Sequence, residues 1–159
     1  MPRPWVLKIH RSLKILKLTV PTYLGVDYGT KRIGLALADE LGIALPMGTI
    51  PGVDFSDWLE EMKRVLNERK VDELVIGYPI HMDGAVGKRA KEVDLFISEL
   101  AKEFNLPVHR VDERLTSVAA ADSIQRKPKG KKRRKPADGR IDATAASLIL
   151  RDFMAGKGV

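Results

Sequence analysis

Apolar and polar positions fall into strand periods first and helix periods afterwards. Tyr23-Leu24-Gly25-Val26-Asp27 is a short apolar strand closed by an aspartate, Tyr28 to Arg32 reverses the chain, and Ile33-Gly34-Leu35-Ala36-Leu37-Ala38 runs back. In the return strand large residues alternate with small ones, so both faces are expected to be covered by protein. Ile43 to Ile50 reads as a third strand interrupted by Pro46, which suits a sheet edge because proline cannot donate to the ladder. That meander ends at Pro51-Gly52.

From Asp54 the period changes. Leu59, Met62, Val65 and Leu66 recur at helical spacing, Asp54 or Ser56 is placed to cap, and Asp57, Glu60 and Glu61 suit the positive end, which predicts a helix of about four turns. Leu74-Val75-Ile76-Gly77 is a fourth strand, parallel and central, stopped at Tyr78-Pro79, and His81-Met82-Asp83-Gly84 forms a loop. Val86, Ala90, Val93, Ile97, Leu100 and Phe104 mark a long helix whose stripe is core. Val108-His109-Arg110-Val111 is a fifth strand running into Asp112-Glu113, followed by an alanine-rich helix capped by Thr116 or Ser117 and reaching about Gln125. A last helix begins near Asp142, with Ile141, Ala145, Leu148 and Ile149 on one face, Ala146, Leu150 and Phe153 beside it, and alanines that permit close approach to a sheet. The class is α/β with a mixed sheet, and the strand-helix-strand crossovers are expected to be right-handed.

Length and charge sharpen this picture. The 159 residues suffice for one domain with a substantial core. The formal net charge of +7 is concentrated: Arg126 to Arg140 carries nine basic residues and one acid, leaving the remainder near neutral. That segment contains Pro128, Gly130, Pro136 and Gly139, so it is a loop rather than one helix. The first 26 residues add Arg3, Lys8, Arg11, Lys14 and Lys17 with no acid. Two basic arms on a neutral body point to a polyanion partner. No apolar run reaches the roughly 20 residues of a membrane helix, and the amino terminus lacks the features of a secretory signal. Its basic, acid-free character overlaps with organellar transit peptides; a basic extension over 1–22, strand-like across Ser12 to Val20, on a cytoplasmic protein is the preferred expectation. The domain is expected over 23–155, with 126–140 a basic loop within it and 156–159 a frayed tail.

Zero cysteines exclude disulfides and thiolate metal sites, and His10, His81 and His109 lack ligand spacing. Acids are different. Asp27 and Glu113 stand at the ends of predicted strands that share one sheet edge, and Asp142 lies in the first turn of the last helix. If Asp142 projects toward that edge, three carboxylates converge and repel unless a divalent cation neutralises them. Hard oxygen donors suit Mg²⁺ or Mn²⁺. Two such ions about 4 Å apart would clamp a phosphodiester for hydrolysis. Taken singly, Asp27 is also an Asx-turn former, Glu113 a solvated strand-end charge and Asp142 a helix-start acid.

Gly25 to Gly34, Val75 to Pro79 with Met82-Asp83-Gly84, Asp112 to Ser117 and Ile141 to Ala146 resemble, in order, the four motif blocks of the YqgF/RuvX family. The resemblance spans Tyr23 to Met154. It implies an RNase H-like fold with sheet order 3-2-1-4-5, and a nuclease that matures the 5′ end of pre-16S ribosomal RNA, with Holliday junction resolution as the older assignment. It carries the metal-binding and catalytic acids onto Asp27, Glu113 and Asp142. Tyr78 departs from the family's usual Leu, His81 from Asn, and Ala119 from an acid. Lys31, Arg32 and Arg114 become candidate phosphate ligands beside the metals. Lys127, Lys129, Lys131, Lys132, Arg133, Arg134 and Lys135 become candidates for tracking the nucleic-acid backbone, giving affinity rather than choice of site. Structured rRNA precursor, DNA junction and ribosomal assembly intermediates are the partners this implies. Competing readings are an ATP-handling protein of the actin and sugar-kinase superfamily, which needs a second domain, and a non-catalytic RNA-binding assembly factor.

Overall fold

A computed structural model describes residues 20–81, 84–114 and 139–156. Five strands are β1 (Tyr23–Asp27), β2 (Arg32–Ala38), β3 (Leu45–Pro51), β4 (Glu73–Tyr78) and β5 (Val108–Asp112); three helices are α1 (Trp58–Glu68), α2 (Lys88–Glu103) and α3 (Gly139–Met154). The sheet order is β3-β2-β1-β4-β5, the order expected of an RNase H-like fold. β1 pairs antiparallel with β2 and parallel with β4, so it is the central strand and β4 is inner rather than central. β4 pairs parallel with β5. At the β3 edge the register shifts between Leu35 and Ala36, whose partners are Gly48 and Pro46, leaving Met47 as a bulge beside the proline.

Strand parity divides the sheet into two unlike faces. Leu24, Val26, Ile33, Leu35, Leu74 and Ile76 are all buried on one face, in a core completed by α1 and α2 through Met62, Val93, Phe96 and Leu100. The opposite face carries Ala36, Ala38, Val75 and Val111, and receives Ala146, Ile149 and Leu150 of α3. Its residues are small where α3 crosses. A Cβ on Gly25 would lie 2.8 Å from the Ala146 carbonyl oxygen and 2.9 Å from the Leu150 Cβ. The size alternation in β2 is therefore what sets the helix distances on the two sides.

Several local expectations are corrected. α1 starts at Trp58 and has 11 residues, closer to three turns than four. Neither Asp54 nor Ser56 caps it: Asp57 occupies the N-cap position without a side-chain cap bond, while Asp54 pairs with Lys31 at 3.1 Å. α2 begins at Lys88, which leaves Val86 outside it and exposed, and its buried face includes Phe96. α3 begins at Gly139, and its fully buried residues are Ala143, Ala146, Ile149, Leu150 and Asp152, with Ala145 and Leu148 partly buried against the same core. The strand over Ser12 to Val20 (Val20 apart), Met82 and Asp83, the helix from Thr116 to Gln125, and basic residues 127–135 lie outside the described residues. Among the described residues no helix is long and apolar enough to cross a membrane.

Candidate active site

Asp27 ends the central strand, and its Cα partner across the ladder is Gly34 of β2. On the other side Val26 pairs with Ile76, so one further step in that parallel register brings Asp27 alongside Gly77 of β4. Laterally paired residues share a face. Gly34, Asp27 and Gly77 thus form a row on the small-residue face, with the acid between two glycines.

Each glycine makes room for another acid. A Cβ on Gly34 would overlap the Asp142 main-chain carbonyl and come 3.0 Å from the Asp142 Cβ. A Cβ on Gly77 would overlap the Glu113 Oε1 and lie 2.6 Å from the Ile149 Cδ1. Glu113 extends β5, its N–H donating to the Tyr78 carbonyl at 3.2 Å. Parity separates it from its neighbour: Gly77 pairs with Val111 and Tyr78 with Asp112, so Glu113 shares the α3 face and Asp112 the opposite one. The turn behind Asp27 is pinned by the chain after β3, with Gly52 N–H donating to the Lys31 carbonyl and Asp54 N–H to the Thr30 carbonyl, each at 3.0 Å.

The three sequence-derived acids thus stand on one end of one face, brought there by β1, β5 and α3. They do not form a closed cage. Among the described residues no group of three His, Cys, Asp or Glu side chains is gathered closely enough to hold a metal ion. Asp142 instead accepts a charged hydrogen bond from the Arg32 Nε at 3.0 Å. The donor chemistry still suits a hard divalent cation, since each acid offers carboxylate oxygens.

The three basic residues expected to hold phosphates, Lys31, Arg32 and Arg114, are each engaged by a carboxylate. Lys31 meets Asp54 and Arg32 meets Asp142. Arg114 closes on Asp112 through its Nε at 2.9 Å, its Nη2 at 2.7 Å and its backbone N–H at 2.8 Å. That guanidinium holds the Asp112 carboxyl below the ordinary carboxylate range, against the opposing effect of burial. Arg89 was not anticipated. Its Nη2 donates to the Tyr28 carbonyl at 2.9 Å and ties the start of α2 to the residue after Asp27, a contact 61 positions apart with no local signal. Gly34 and Gly77 lie in the motif blocks, but what they make room for is visible only in the packing. Tyr78 lies on the large-residue face, where its hydroxyl donates to Asp94 at 2.8 Å; burial first, and Asp94 next, raise its pKa. His109 packs on Phe153 and bonds Glu73.

The strand order, with acids at the ends of β1 and β5, defines the class as a protein with an RNase H-like sheet. A profile of the RuvX family, described as "Holliday junction resolvase", matches residues 21–156, and the chain belongs to that family. It is 42% identical over 132 residues to the "Putative pre-16S rRNA nuclease" of Opitutus terrae, covering 82% of this chain and 89% of that one. The protein of that name from Rickettsia africae is 39% identical over 145 residues, covering 89% and 92%. Among solved structures, Thermus thermophilus RuvC superposes with a TM-score of 0.48 at 14% identity, covering 86% of this chain and 98% of that one.

Proposed function

We propose that this chain is a metal-dependent endonuclease that trims the 5′ end of pre-16S rRNA in the cytoplasm during ribosome assembly. The observation that carries the reading is the glycine-flanked row: Asp27 between Gly34 and Gly77, with Asp142 and Glu113 against those two glycines. A fold stabilised only by packing gains nothing from bringing carboxylates of β1, α3 and the end of β5 to the same end of one face, where like charges oppose one another. The relatives named pre-16S rRNA nucleases support the substrate.

Asp27, Glu113 and Asp142 would hold the cations. When bound there, a pair of Mg²⁺ or Mn²⁺ ions supplies activation of the attacking water and charge stabilisation at the leaving oxygen. The protein's own part is placement. Asp27 is fixed by strand pairing, Glu113 by its backbone bond to β4, and Asp142 by the close seat of α3. Arg32 balances the Asp142 charge at the site's edge, and Lys31, Arg32 and Arg114 would exchange their carboxylate partners for flanking phosphates. Residues 127–135 supply the sequence-independent grip on the backbone.

The test is incubation of wild type and Asp27→Asn protein with a pre-16S rRNA fragment and with a four-way DNA junction, in Mg²⁺, Mn²⁺ or chelator. Metal-dependent cutting of the RNA, abolished in Asp27→Asn with folding and RNA binding retained, is expected. Cutting of the junction alone would reassign the enzyme as a resolvase, the activity in its family's description. Tight binding without cutting would make it a non-catalytic assembly factor.

A further inference from the structure

The large-residue face carries a second feature that the nuclease reading does not use. α1 and α2 run side by side, and between them three hollows of about 230, 340 and 170 Å³ lie end to end. The first two share Trp58 and Glu99, and the second and third share Leu59 and Glu103, so they form one groove. Its floor is formed by the buried rings of Trp58 and Phe96 and the half-buried Leu59 and Phe104, and Leu95 stands on its lip 70% exposed.

The rim is acidic. Glu60, Glu92, Glu99 and Glu103 line the groove against Lys63 and Lys102. Elsewhere on these helices acids are compensated: Glu61 and Glu68 share Arg64, and Asp94 meets Arg110. Among the described residues none of the four groove glutamates has an ion-pair partner. A trough with aromatic residues in its floor and four glutamates against two lysines on its rim is net acidic and fits a basic, apolar peptide.

The chain holds such a peptide at the right end. Thr22 is bound to the segment after α1, its N–H donating to Asp72 Oδ2 and its carbonyl accepting from Asp72 N–H. Leu74 beside it bonds Pro107, just past α2. Residues 1–19 therefore join the fold where both helices end, next to the Asn67 and Glu103 end of the groove. They carry five basic residues, no acid, and Trp5, Ile9, Leu13 and Leu16. Nineteen residues reach roughly 60 Å when extended, and α1 is only about 16 Å long.

We propose that the basic, apolar amino-terminal segment docks along the α1–α2 groove of its own chain. The cysteine-free sequence makes disulfide trapping clean. Ile9→Cys, Leu13→Cys and Leu16→Cys are each combined in the full-length chain with Lys102→Cys in the groove, or with Ile43→Cys on the exposed β2–β3 hairpin as comparison. The expected result is an intrachain disulfide to position 102 in at least one pair and none to position 43. It should be lost when Glu99→Lys and Glu103→Lys are added, with circular dichroism unchanged. Trapping at position 43, disulfides only between two chains, no disulfide, or one indifferent to the charge reversal would each overturn the proposal.

Discussion

The two faces of this sheet are built to opposite specifications. On the α1–α2 side, Leu24, Val26, Ile33, Leu35, Leu74 and Ile76 hold the helices off on a layer of large side chains. On the α3 side, Gly25, Gly34 and Gly77 bring helix atoms onto the strand backbone itself. The first arrangement maximises buried apolar area, the main source of folding free energy. The second gives up area to seat Asp142 on Gly34, the residue of β2 paired with Asp27. Alternation of residue size along a strand has therefore separated stability from chemistry by one position.

The contrast breaks most severely at Gly34. Gly34→Val should unseat α3, because the added side chain meets the Asp142 backbone rather than a flexible tip; the expected outcome is a loss of at least about 3 kcal/mol in urea unfolding together with all cleavage. Leu100→Ala, on the other face, should cost about 2–5 kcal/mol of stability and leave cleavage per folded molecule unchanged. Equal loss of specific activity in Leu100→Ala would show that the faces are not separable. Gly77→Ala sharpens the comparison, since its new methyl meets the Glu113 carboxylate and one Ile149 methyl: cleavage should fall by more than tenfold while the melting temperature shifts by only a few degrees.

The smallest effect concerns consecutive acids on opposite faces. Asp112 is held below its ordinary value mainly by Arg114. A depressed folded pKa contributes stability that is complete above the unfolded value of about 3.9 and is lost as pH falls through the lower folded value. In Arg114→Leu the Asp112 titration, followed by carboxyl NMR, should move up. The stability gap between the two proteins should close as pH drops below about 4.

Much of the fold was legible because its signals are local. Period-2 runs in β1, β2 and β5, the Pro46 break at the β3 edge and the amphipathic stripe of α2 each follow from neighbouring residues. The errors also have local causes. Asp54 has a helix-capping residue type, yet Lys31 and the Thr30 carbonyl claim it from across the turn. Val86 continues the apolar period of α2, yet Gly87 is the N-cap of that helix and Lys88 its first residue. The true face of α3 is marked by Ala143 and Ala146, whose small size hides the stripe from any hydrophobicity count.

The candidate acids were nameable from position at strand ends and from the motif blocks, whereas the partners of their basic neighbours were not. Lys31, Arg32 and Arg114 read as open phosphate ligands in the sequence, and each has a carboxylate partner in the fold. By itself the sequence determined which residues alternate, where the acids fall and where positive charge accumulates, because those depend on spacing along one chain. Tertiary structure alone decided that Gly34 and Gly77 flank Asp27, that Glu113 and Asp112 face opposite ways across the sheet, and that Arg32 meets Asp142 from 110 residues away. Those are matters of register and helix distance, which only the packed layers fix.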